Sequence, residues 1–484
     1  MFIVTFFIVI LGLIVRNYHL AKVLFYDWDE GMYAQIAKEI INNKSLFTTF
    51  NGHIWLDKPP FVHGLIALVF LIFGHSEFWA RMIMVCVSFL LLVLTYLLAR
   101  KITKGKTIAS LLPVLILSAS PIFLERATML NSDIFVAVGW LGYFLFWDKF
   151  WPKLFFLTLG VWSKSILGFY PLIFDLFNVL IHWLINKKNI KINRKTLLKN
   201  LLLIIIPSLW YIAGYIKYGW FFIDNHFLSQ VLKRLYVPIE LHFGGKFFYL
   251  NYLWQNLGII NFLFILAYVL ILIELIQSFR KRSWNIFISQ TLFGFLVFFF
   301  PLPFLALLTL MKTKITWYVI LFLPFLTLLI SYLYAKIKLL FLKILIIVGV
   351  VAYFLINFLP QTFFQKINYA QPEKLQLAKC LRQEKNDKIA FLVDEEERKI
   401  KNFLEAAHYN TTSSFFYGGS PSFVYYVQKK VDYYYSIDKF LTNINNYQIF
   451  ALSKTDVGGN DKLKLLSNST KTICDYGNWL GVVK

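Results

Sequence analysis

Charged residues are scarce in this chain, and acidic residues are the scarcer kind. Only 15% of its 484 residues are Asp, Glu, Lys or Arg, with 49 basic residues against 26 acidic ones. A soluble protein carries about 25% charged residues. Hydrophobic residues make up 58% of the chain and aromatic residues 19%. The composition therefore excludes an ordinary soluble enzyme and favours a membrane protein.

Motifs that bind nucleotide phosphates, and motifs typical of redox or nucleophilic catalysis, are missing as well. The chain has no Gly-rich phosphate loop, no Walker pattern, no Cys-x-x-Cys pair and no nucleophile elbow. We therefore expect a substrate that reaches the membrane already activated. The net charge of +23 does not predict a nucleic-acid partner, because the basic residues lie in short loops between apolar blocks, as cytoplasmic loops do.

Cysteine is rare, and its three positions differ in setting. Cys86 lies within an apolar block, where packing is the expected role. Cys380 and Cys474 lie in the polar tail. These two could form a disulfide if the tail faces an oxidising compartment.

Long apolar blocks dominate the rest of the sequence. Several approach or exceed about 18 residues, the length typical of a membrane-spanning helix. The sequence predicts a polytopic α-helical membrane protein with about 11 transmembrane helices, at 2–15, 78–99, 107–124, 133–148, 150–163, 166–185, 197–216, 249–277, 284–308, 315–335 and 340–358. The shorter apolar segment 61–73 is expected to be re-entrant or interfacial.

Four basic loops set the predicted orientation. Placing the loops 100–106, 186–199, 280–282 and 336–343 in the cytoplasm puts the N-terminus inside and the C-terminus outside. The prediction is a transmembrane domain over 1–360, with outer loops at 16–77 and 217–248. A small extracytoplasmic α/β domain is predicted over 372–484 from the short alternating segments KIAFLVD, SSFFYG, VDYYYS and YQIFALS and the helical run EEERKIKNFLEAAHY.

The stretch YDWDEGMYAQIAKEI places Asp27, Asp29 and Glu30 within four positions. Asp29 could cap the helix that the apolar spacing after it predicts. Capping accounts for one acid and not for three, and charge at a membrane surface usually marks a site. We expect the helix itself to be amphipathic and to lie on the membrane.

Further candidates lie on the predicted outer face. In NGHIWLDKPPF the two prolines exclude helix and hold Lys58 beside Asp57 in an extended turn, suited to a lipid phosphate and a cation. Asp133 is either a helix cap, with Asn131 and Ser132 as competitors, or a second functional acid. Each remaining basic residue has two possible roles. It could be structural or anchor the chain at lipid headgroups, or it could bind a metal or a phosphate. These residues are His226, His242, Lys164, Lys312 and Lys314.

The order of these blocks resembles a known family. DEGMYAQIAKEI, NGHIWLDKPP, FGHSEFWARM, RATMLNSD, WSKS, the His-bearing loop and KTKITWY occur as in the polyprenyl- or dolichyl-phosphate-sugar glycosyltransferases. The resemblance is strongest to the lipid A aminoarabinose transferases, includes the protein O-mannosyltransferases and covers residues 1 to about 335. It implies the GT-C fold.

The resemblance also implies roles for particular residues. Asp29 and Asp133, with Glu30, would be the catalytic acids. Asp57 and one histidine, His226 before His242, would hold a divalent metal such as Mg, Mn or Zn. The carrier phosphate would be bound by Lys58, Lys164, Lys312, Lys314 and Tyr318.

Together these features predict an integral-membrane glycosyltransferase. It would move a hexose or pentose from a polyprenyl-phosphate carrier to a lipid or protein acceptor on the extracytoplasmic side. The alternative is a transporter or flippase of a lipid-linked sugar. That alternative predicts paired halves and charges near the bilayer midplane, which the sequence does not show.

Overall fold

The computed structural model describes residues 2–186, 194–280, 293–364, 372–411 and 417–484. The chain divides into two compact units. One, here called the helical unit, comprises Met1–His19, Arg81–Lys217 and Gly244–Lys366. The other, the mixed unit, comprises Leu20–Ala80, Tyr218–Phe243 and Ile367–Lys484.

The helical unit consists of apolar helices and short connections. Glu77–Ile102 enters it from the mixed unit, and its other α-helices are Phe2–Leu20, Thr107–Ala119, Pro121–Arg126, Asp133–Leu145, Phe150–Ser163, Leu172–Asn186, Arg194–Tyr218, Phe248–Leu257, Ile260–Arg280, Pro301–Leu310, Val319–Lys336 and Leu340–Leu359. Shorter 3₁₀ or π turns occur at Ile166–Phe169, Thr316–Tyr318 and Pro360–Phe364.

Within the described residues, seven helices are long and apolar enough to cross a membrane. They are Phe2–Leu20, Glu77–Ile102, Thr196–Tyr218, Ile260–Gln277, Phe293–Leu310, Thr316–Lys336 and Leu340–Phe364. Shorter apolar helices include Thr107–Ala119 and Asp133–Leu145. The chain is thus a multi-pass membrane protein, and the number of eleven spans stays a prediction. The start of the predicted span 284–308 and parts of the basic loops 186–199 and 280–282 lie outside the described residues.

Two predicted spans are each broken into a pair of helices. The predicted span 107–124 breaks at Ser120, which is extended because it precedes Pro121. The predicted span 249–277 breaks at Gly258, whose φ of 51° is readily adopted only without a side chain. Apolar periodicity continues through both points, so it could not reveal them.

A glycine contact brings two helices of the helical unit together. A Cβ on Gly139 would lie 2.8 Å from the Cα of Gly160, so the helices Asp133–Leu145 and Phe150–Ser163 approach at backbone distance, as small residues permit in membrane proteins. The first helix begins at Asp133, and the second ends immediately before Lys164. The antiparallel pair therefore brings Asp133 and Lys164 to the same end.

The mixed unit contains the predicted C-terminal α/β domain. Its sheet has the strand order Lys430–Tyr434, Lys388–Leu392, Ile449–Ser453, Trp479–Val483 and Lys471–Tyr476. The first three strands are parallel and the last two antiparallel to their neighbours. Three of the predicted strands are confirmed, the last two strands were missed, and most of the SSFFYG segment lies outside the described residues.

Helices cover this sheet and connect it to the earlier segments of the unit. The helices of the tail are Glu373–Leu381, Glu395–Ala406, Pro421–Val427, Ile437–Thr442, Ile444–Asn446, Lys454–Gly459 and Asp461–Ser469. One core cluster lies between sheet and helices and includes Leu392, Phe440, Phe450, Leu452, Leu463 and Val482. Cys380 and Cys474 form a disulfide that ties the first of these helices to the strand Lys471–Tyr476.

The earlier segments of the mixed unit are mainly helical. They comprise the helix Asp29–Asn43, the hairpin Thr49–Phe50 and His53–Ile54, the helix Phe61–Phe73, the short helices Trp220–Phe222 and Lys233–Tyr236, the π-helix Ile223–Leu232 and the 3₁₀ turn Ile239–Leu241. A π-helix widens the backbone and is frequent at functional sites. This one carries His226.

The helix Asp29–Asn43 is confirmed, but its polar face is not exposed to water as the sequence predicts. Its residues from Glu30 to Ala37 are buried, and so is Glu39. The Glu39 carboxylate accepts hydrogen bonds from the backbone N–H groups of Asn51 (2.6 Å) and Gly52 (3.3 Å) in the hairpin. The polar face that the sequence assigned to water therefore bonds to protein.

Gly31 sets how closely this helix packs. A Cβ there would lie 2.6 Å from the backbone Cα of Ser422, which is too close without a backbone shift. We expect Gly31→Ala to lower the free energy of unfolding by about 1–3 kcal/mol, as overpacking does. Thermal unfolding of the purified protein measures the change.

The matched control is Gly64→Ala in the helix Phe61–Phe73. No heavy atom lies within 4 Å of a Cβ at Gly64. Because Ala favours helix over Gly by about 1 kcal/mol, this variant should be neutral or more stable. Equal melting temperatures for the two variants would contradict the close contact at Gly31.

Candidate functional site

Lys58 is the centre of a charged cluster in the mixed unit. Its Nζ donates to the Tyr33 hydroxyl at 2.6 Å and lies 3.5 Å from Oδ1 of Asp29. The ammonium also lies 4.8 Å from the centre of the Tyr33 ring. The side chains are only 20% (Lys58) and 30% (Asp29) exposed. Pro59 and Pro60 follow Lys58, and a helix begins directly after them at Phe61. Lys58 thus lies outside helix, as expected from the double proline.

The three neighbouring acids have separate partners. Asp27 accepts hydrogen bonds from the hydroxyl of Ser420 and the backbone N–H of Ser422. Glu30 is buried and accepts from the backbone N–H of Tyr26 at 3.0 Å. Asp29 is the acid that the structure pairs with Lys58. Asp27 and Glu30 thus fix the turn that presents Asp29.

The capping interpretation of Asp29 is corrected by the helix start. Trp28 occupies the N-cap position with a φ of 65°, and Asp29 is the first helical residue. A non-glycine residue at positive φ is uncommon and often marks a functional segment. At this position the Asp29 carboxylate also lies near the positive end of the helix dipole.

Asp57 and His226 are the first pair of candidate metal ligands, and His226 contacts the residue that precedes Asp57. Oδ2 of Asp57 accepts from the Tyr417 hydroxyl at 3.4 Å. Nδ1 of His226 lies 2.9 Å from the carbonyl oxygen of Leu56. A carbonyl only accepts, so Nδ1 carries the proton and Nε2 carries the lone pair. Burial lowers the pKa of His226 to about 4, so the ring is neutral near pH 7.

His242 has different neighbours. It follows a turn in which Glu240 and Leu241 have φ values of 54° and 64°, and Glu240 pairs with Arg234 at 3.8 Å. Burial lowers the pKa of His242, while the charges of Glu240 and Asp29 act in the opposite direction. Within the described residues, no group of three or more His, Cys, Asp and Glu side chains is arranged to hold a metal ion.

A cavity of 210 Å³ adjoins Trp28 and therefore lies one residue from Asp29 along the chain. Its walls include Trp28, Glu240, Glu397, Ile400, Leu404 and Tyr435. The helix Glu395–Ala406 contributes one face to it and has no buried residue. This cavity was not predicted from the sequence, although the apolar spacing of Ile400 and Leu404 indicates a helix face that packs against other residues.

The helical unit carries a second cluster around Lys164. The Lys164 ammonium forms an ion pair with Asp133 and lies 4.3 Å from the centre of the Tyr318 ring. The side chains of Lys164 and Asp133 are only 12% and 3% exposed. Asn131, and not Asp133, accepts the backbone N–H of Ile134 at 3.1 Å. The capping role thus falls to Asn131, and the Asp133 carboxylate serves the ion pair.

Lys312 and Lys314 have different environments. Lys314 is buried and donates to the carbonyl oxygens of Leu308 and Thr309 at 2.8 and 2.7 Å. These are terminal carbonyls of the helix Pro301–Leu310, so Lys314 caps that helix. Burial and the charge of Lys312 lower the pKa of Lys314. Lys312 is exposed.

Arg126 is a functional candidate that the sequence analysis did not select. It is buried, pairs with Glu125 and lies 4.8 Å from the centre of the Trp317 ring. Its position in the motif RATMLNSD was a signal that could have identified it.

Comparison with known proteins shows which fold the chain has and which family model part of it matches. Residues 57–211 match the sequence model of the dolichyl-phosphate-mannose-protein mannosyltransferase family. The fold is similar to that of ArnT from Cupriavidus metallidurans in its crystal structure bound to undecaprenyl phosphate, with a TM-score of 0.66 and 12% identity over 99% of this chain and 97% of that one. The structural match shows that the chain has the GT-C fold.

A second solved structure and one sequence relative are also similar to this chain. The apo structure of the same ArnT matches with a TM-score of 0.65 and 13% identity, again covering 99% and 97% of the two chains. A protein from Aquifex aeolicus (strain VF5), described as uncharacterized, is 29% identical over 218 residues. The match spans 43% of this chain and 43% of that relative's length.

The region that matches the family model contains four of the predicted site residues, namely Asp57, Lys58, Asp133 and Lys164. Asp29, His226, His242 and the residues near Lys312 lie outside it. The matched region therefore includes one lysine from each of the two charged clusters.

Proposed function

We propose that this protein is a membrane glycosyltransferase that moves a sugar from a polyprenyl-phosphate carrier to an acceptor on the extracytoplasmic side. The observation that carries the proposal is the Asp29–Lys58–Tyr33 cluster, which joins an ammonium suited to phosphate with a carboxylate suited to proton transfer. The family match and the undecaprenyl phosphate bound to the similar ArnT structure support the carrier class.

Lys58 would exchange partners during the reaction. Its 3.5 Å contact with Asp29 is long for an ion pair, and the shorter bond is to Tyr33. A carrier phosphate would draw the ammonium away from Asp29, since phosphate offers it more charge and more acceptor oxygens. The Asp29 carboxylate would then be available to the acceptor, while Tyr33 keeps Lys58 in position.

The transfer step follows from this exchange. The acceptor hydroxyl gives its proton to Asp29 as its oxygen bonds to the anomeric carbon of the sugar. The bond from that carbon to the phosphate oxygen breaks, and the electron pair leaves with the carrier phosphate. Lys58 stabilises the charge that develops on this leaving group, an effect that is largest where water is excluded.

We propose that the second cluster binds phosphate as well. Lys164 and Asp133 form a buried pair whose charges are little screened by water. Lys164 would contact phosphate, with Tyr318 beneath its ammonium, and Asp133 would orient Lys164 or the sugar. Lys312 is exposed and could reach a phosphate, whereas Lys314 would act through the helix end that it caps.

The orientation of the chain is part of the proposal. The basic loops favour a cytoplasmic N-terminus and an extracytoplasmic C-terminal domain. The disulfide between Cys380 and Cys474 supports this placement of the C-terminal domain, because disulfides persist in oxidising compartments. No observation favours the transporter alternative.

A divalent metal remains a hypothesis for Asp57 and His226. The neutral ring of His226, with its lone pair on Nε2 and Nδ1 held by a carbonyl, has the form of a metal-binding histidine. With only these two side chains, oxygens of the carrier phosphate would have to complete the coordination. A cation there would add positive charge at the leaving phosphate.

Asp29→Asn is the primary test of the proposed function. Transfer of a radiolabelled sugar from the carrier in isolated membranes should fall by about 100-fold or more, because a general base contributes at least that factor. The control is Asp461→Asn, whose side chain is 96% exposed. Transfer by Asp29→Asn at the wild-type rate would refute the assigned role.

Chelation tests the metal hypothesis. If Asp57 and His226 hold a cation, a chelator should slow transfer by the wild-type protein, and His226→Ala should be slow already and respond little. We expect the cation to be removed easily, because few protein ligands hold it. Equal chelator sensitivity in the two proteins would place the cation elsewhere, and full activity in chelator would remove it from the mechanism.

A further inference from the structure

A second, basic cavity lies in the mixed unit, with a volume of 640 Å³. It is formed by the helix Asp29–Asn43, the segment around Glu77, the helix Glu373–Leu381 with the residues after it, and the helix Pro421–Val427. Its lining includes Lys38, His75, Glu77, Lys379, Arg382 and Tyr426. None of these residues belongs to the charged cluster around Lys58.

The charges around this cavity are not balanced. Three cations, Lys38, Lys379 and Arg382, line it with a single acid, Glu77. Glu77 accepts a hydrogen bond from the Tyr426 hydroxyl at 2.7 Å. Within the described part of the chain, none of the three cations forms an ion pair. An anion is therefore the ligand whose charge complements this cavity.

The pKa shifts show that the cations lie close enough to repel one another. Burial and then the charge of Arg382 lower the pKa of Lys38, and the charge of Glu39 opposes them in part. Burial, followed by the charges of Lys38 and Arg382, lowers the pKa of His75. The repulsion costs free energy, and a bound anion would remove that cost.

An exposed apolar surface adjoins the cavity. The helix Phe61–Phe73 ends two residues before His75, and Leu71, Ile72 and Phe73 near its end are 50–65% exposed. Trp79 stacks on Phe73 at 4.3 Å between ring centres. Exposed apolar residues beside Trp are typical of the surface where a membrane protein meets lipid headgroups.

We propose that this cavity binds the phosphate-bearing headgroup of an anionic membrane lipid, with the acyl chains along the exposed face of the helix Phe61–Phe73. Lys38, Lys379 and Arg382 would surround the phosphate, and His75 would mark its membrane side. The proposal is independent of sugar transfer and goes beyond it.

Such a lipid would hold together the two segments that carry the cations. Lys38 lies on the same helix as Asp29, while Lys379 and Arg382 flank Cys380, whose disulfide anchors that segment to the sheet. A headgroup bound to all three cations would join these two segments through its charge. The position of the Asp29 helix would then depend on the lipid as well as on protein contacts.

Native mass spectrometry of the full-length protein in detergent tests the proposal. Phosphatidylglycerol and phosphatidylcholine with identical acyl chains are titrated, and the wild-type protein should retain phosphatidylglycerol preferentially. Lys379→Gln with Arg382→Gln removes two exposed cations and should fold normally. Since each basic residue contributes about fivefold to acidic-lipid binding, this variant should bind about 25-fold more weakly.

The matched control is Lys462→Gln with Lys471→Gln, which removes the same charge from exposed positions in the C-terminal α/β domain. This control should bind phosphatidylglycerol as the wild type does. Equal loss in both double variants would overturn the proposal, because net charge alone would then explain it. Equal retention of phosphatidylglycerol and phosphatidylcholine by the wild type, or inorganic phosphate binding as tightly as phosphatidylglycerol, would also overturn it.

Discussion

The pairing of a poorly solvated lysine with an aspartate is the interaction on which both clusters of this protein depend. An ammonium that is partly removed from water is costly unless a carboxylate or another acceptor compensates it. Each unit provides this compensation with an aspartate and a tyrosine beside the lysine, as Asp29–Lys58–Tyr33 and Asp133–Lys164–Tyr318; Lys58 binds the tyrosine hydroxyl, and Lys164 lies near the tyrosine ring. The fold of each unit positions its three members.

The surrounding structure shows how that positioning is achieved. In the mixed unit, Asp27 and Glu30 bind backbone groups and fix the turn before Asp29. Two prolines after Lys58 keep that residue outside the helix that begins at Phe61. In the helical unit, the close approach of Gly139 and Gly160 aligns the helices that present Asp133 and Lys164. Residues without reactive groups thus determine where the charged groups lie.

The sequence predicted a large part of this arrangement. Apolar block length identified a membrane protein, the double proline located the turn at Lys58, and alternation identified three strands of the C-terminal domain. Motif order indicated the GT-C fold. These signals are local along the chain, so a single sequence is enough to read them.

Other features depend on contacts between distant segments, which no local pattern records. The partners of Asp27 and the two cavities of the mixed unit require the C-terminal tail to meet the first hundred residues. The disulfide joins two cysteines of the tail that are 94 residues apart. The helix Asp29–Asn43 was expected on the membrane because its polar face suggested water, but Glu39 on that face bonds to a hairpin. The capping role of Asn131 could not be predicted for a similar reason. Asp133 pairs with Lys164, which is 31 residues away in the chain, and Asn131 caps the helix instead.

Binding of undecaprenyl phosphate to the purified protein and its variants tests the exchange of Lys58 between Asp29 and phosphate most directly. If Asp29 competes with phosphate for Lys58, Asp29→Asn should bind the carrier at least as tightly as the wild type, although its transfer should be about 100-fold slower or more. Lys58→Met should bind about tenfold or more weakly, because a charge-assisted contact is lost. Weaker binding by Asp29→Asn, or unchanged binding by Lys58→Met, would contradict the account.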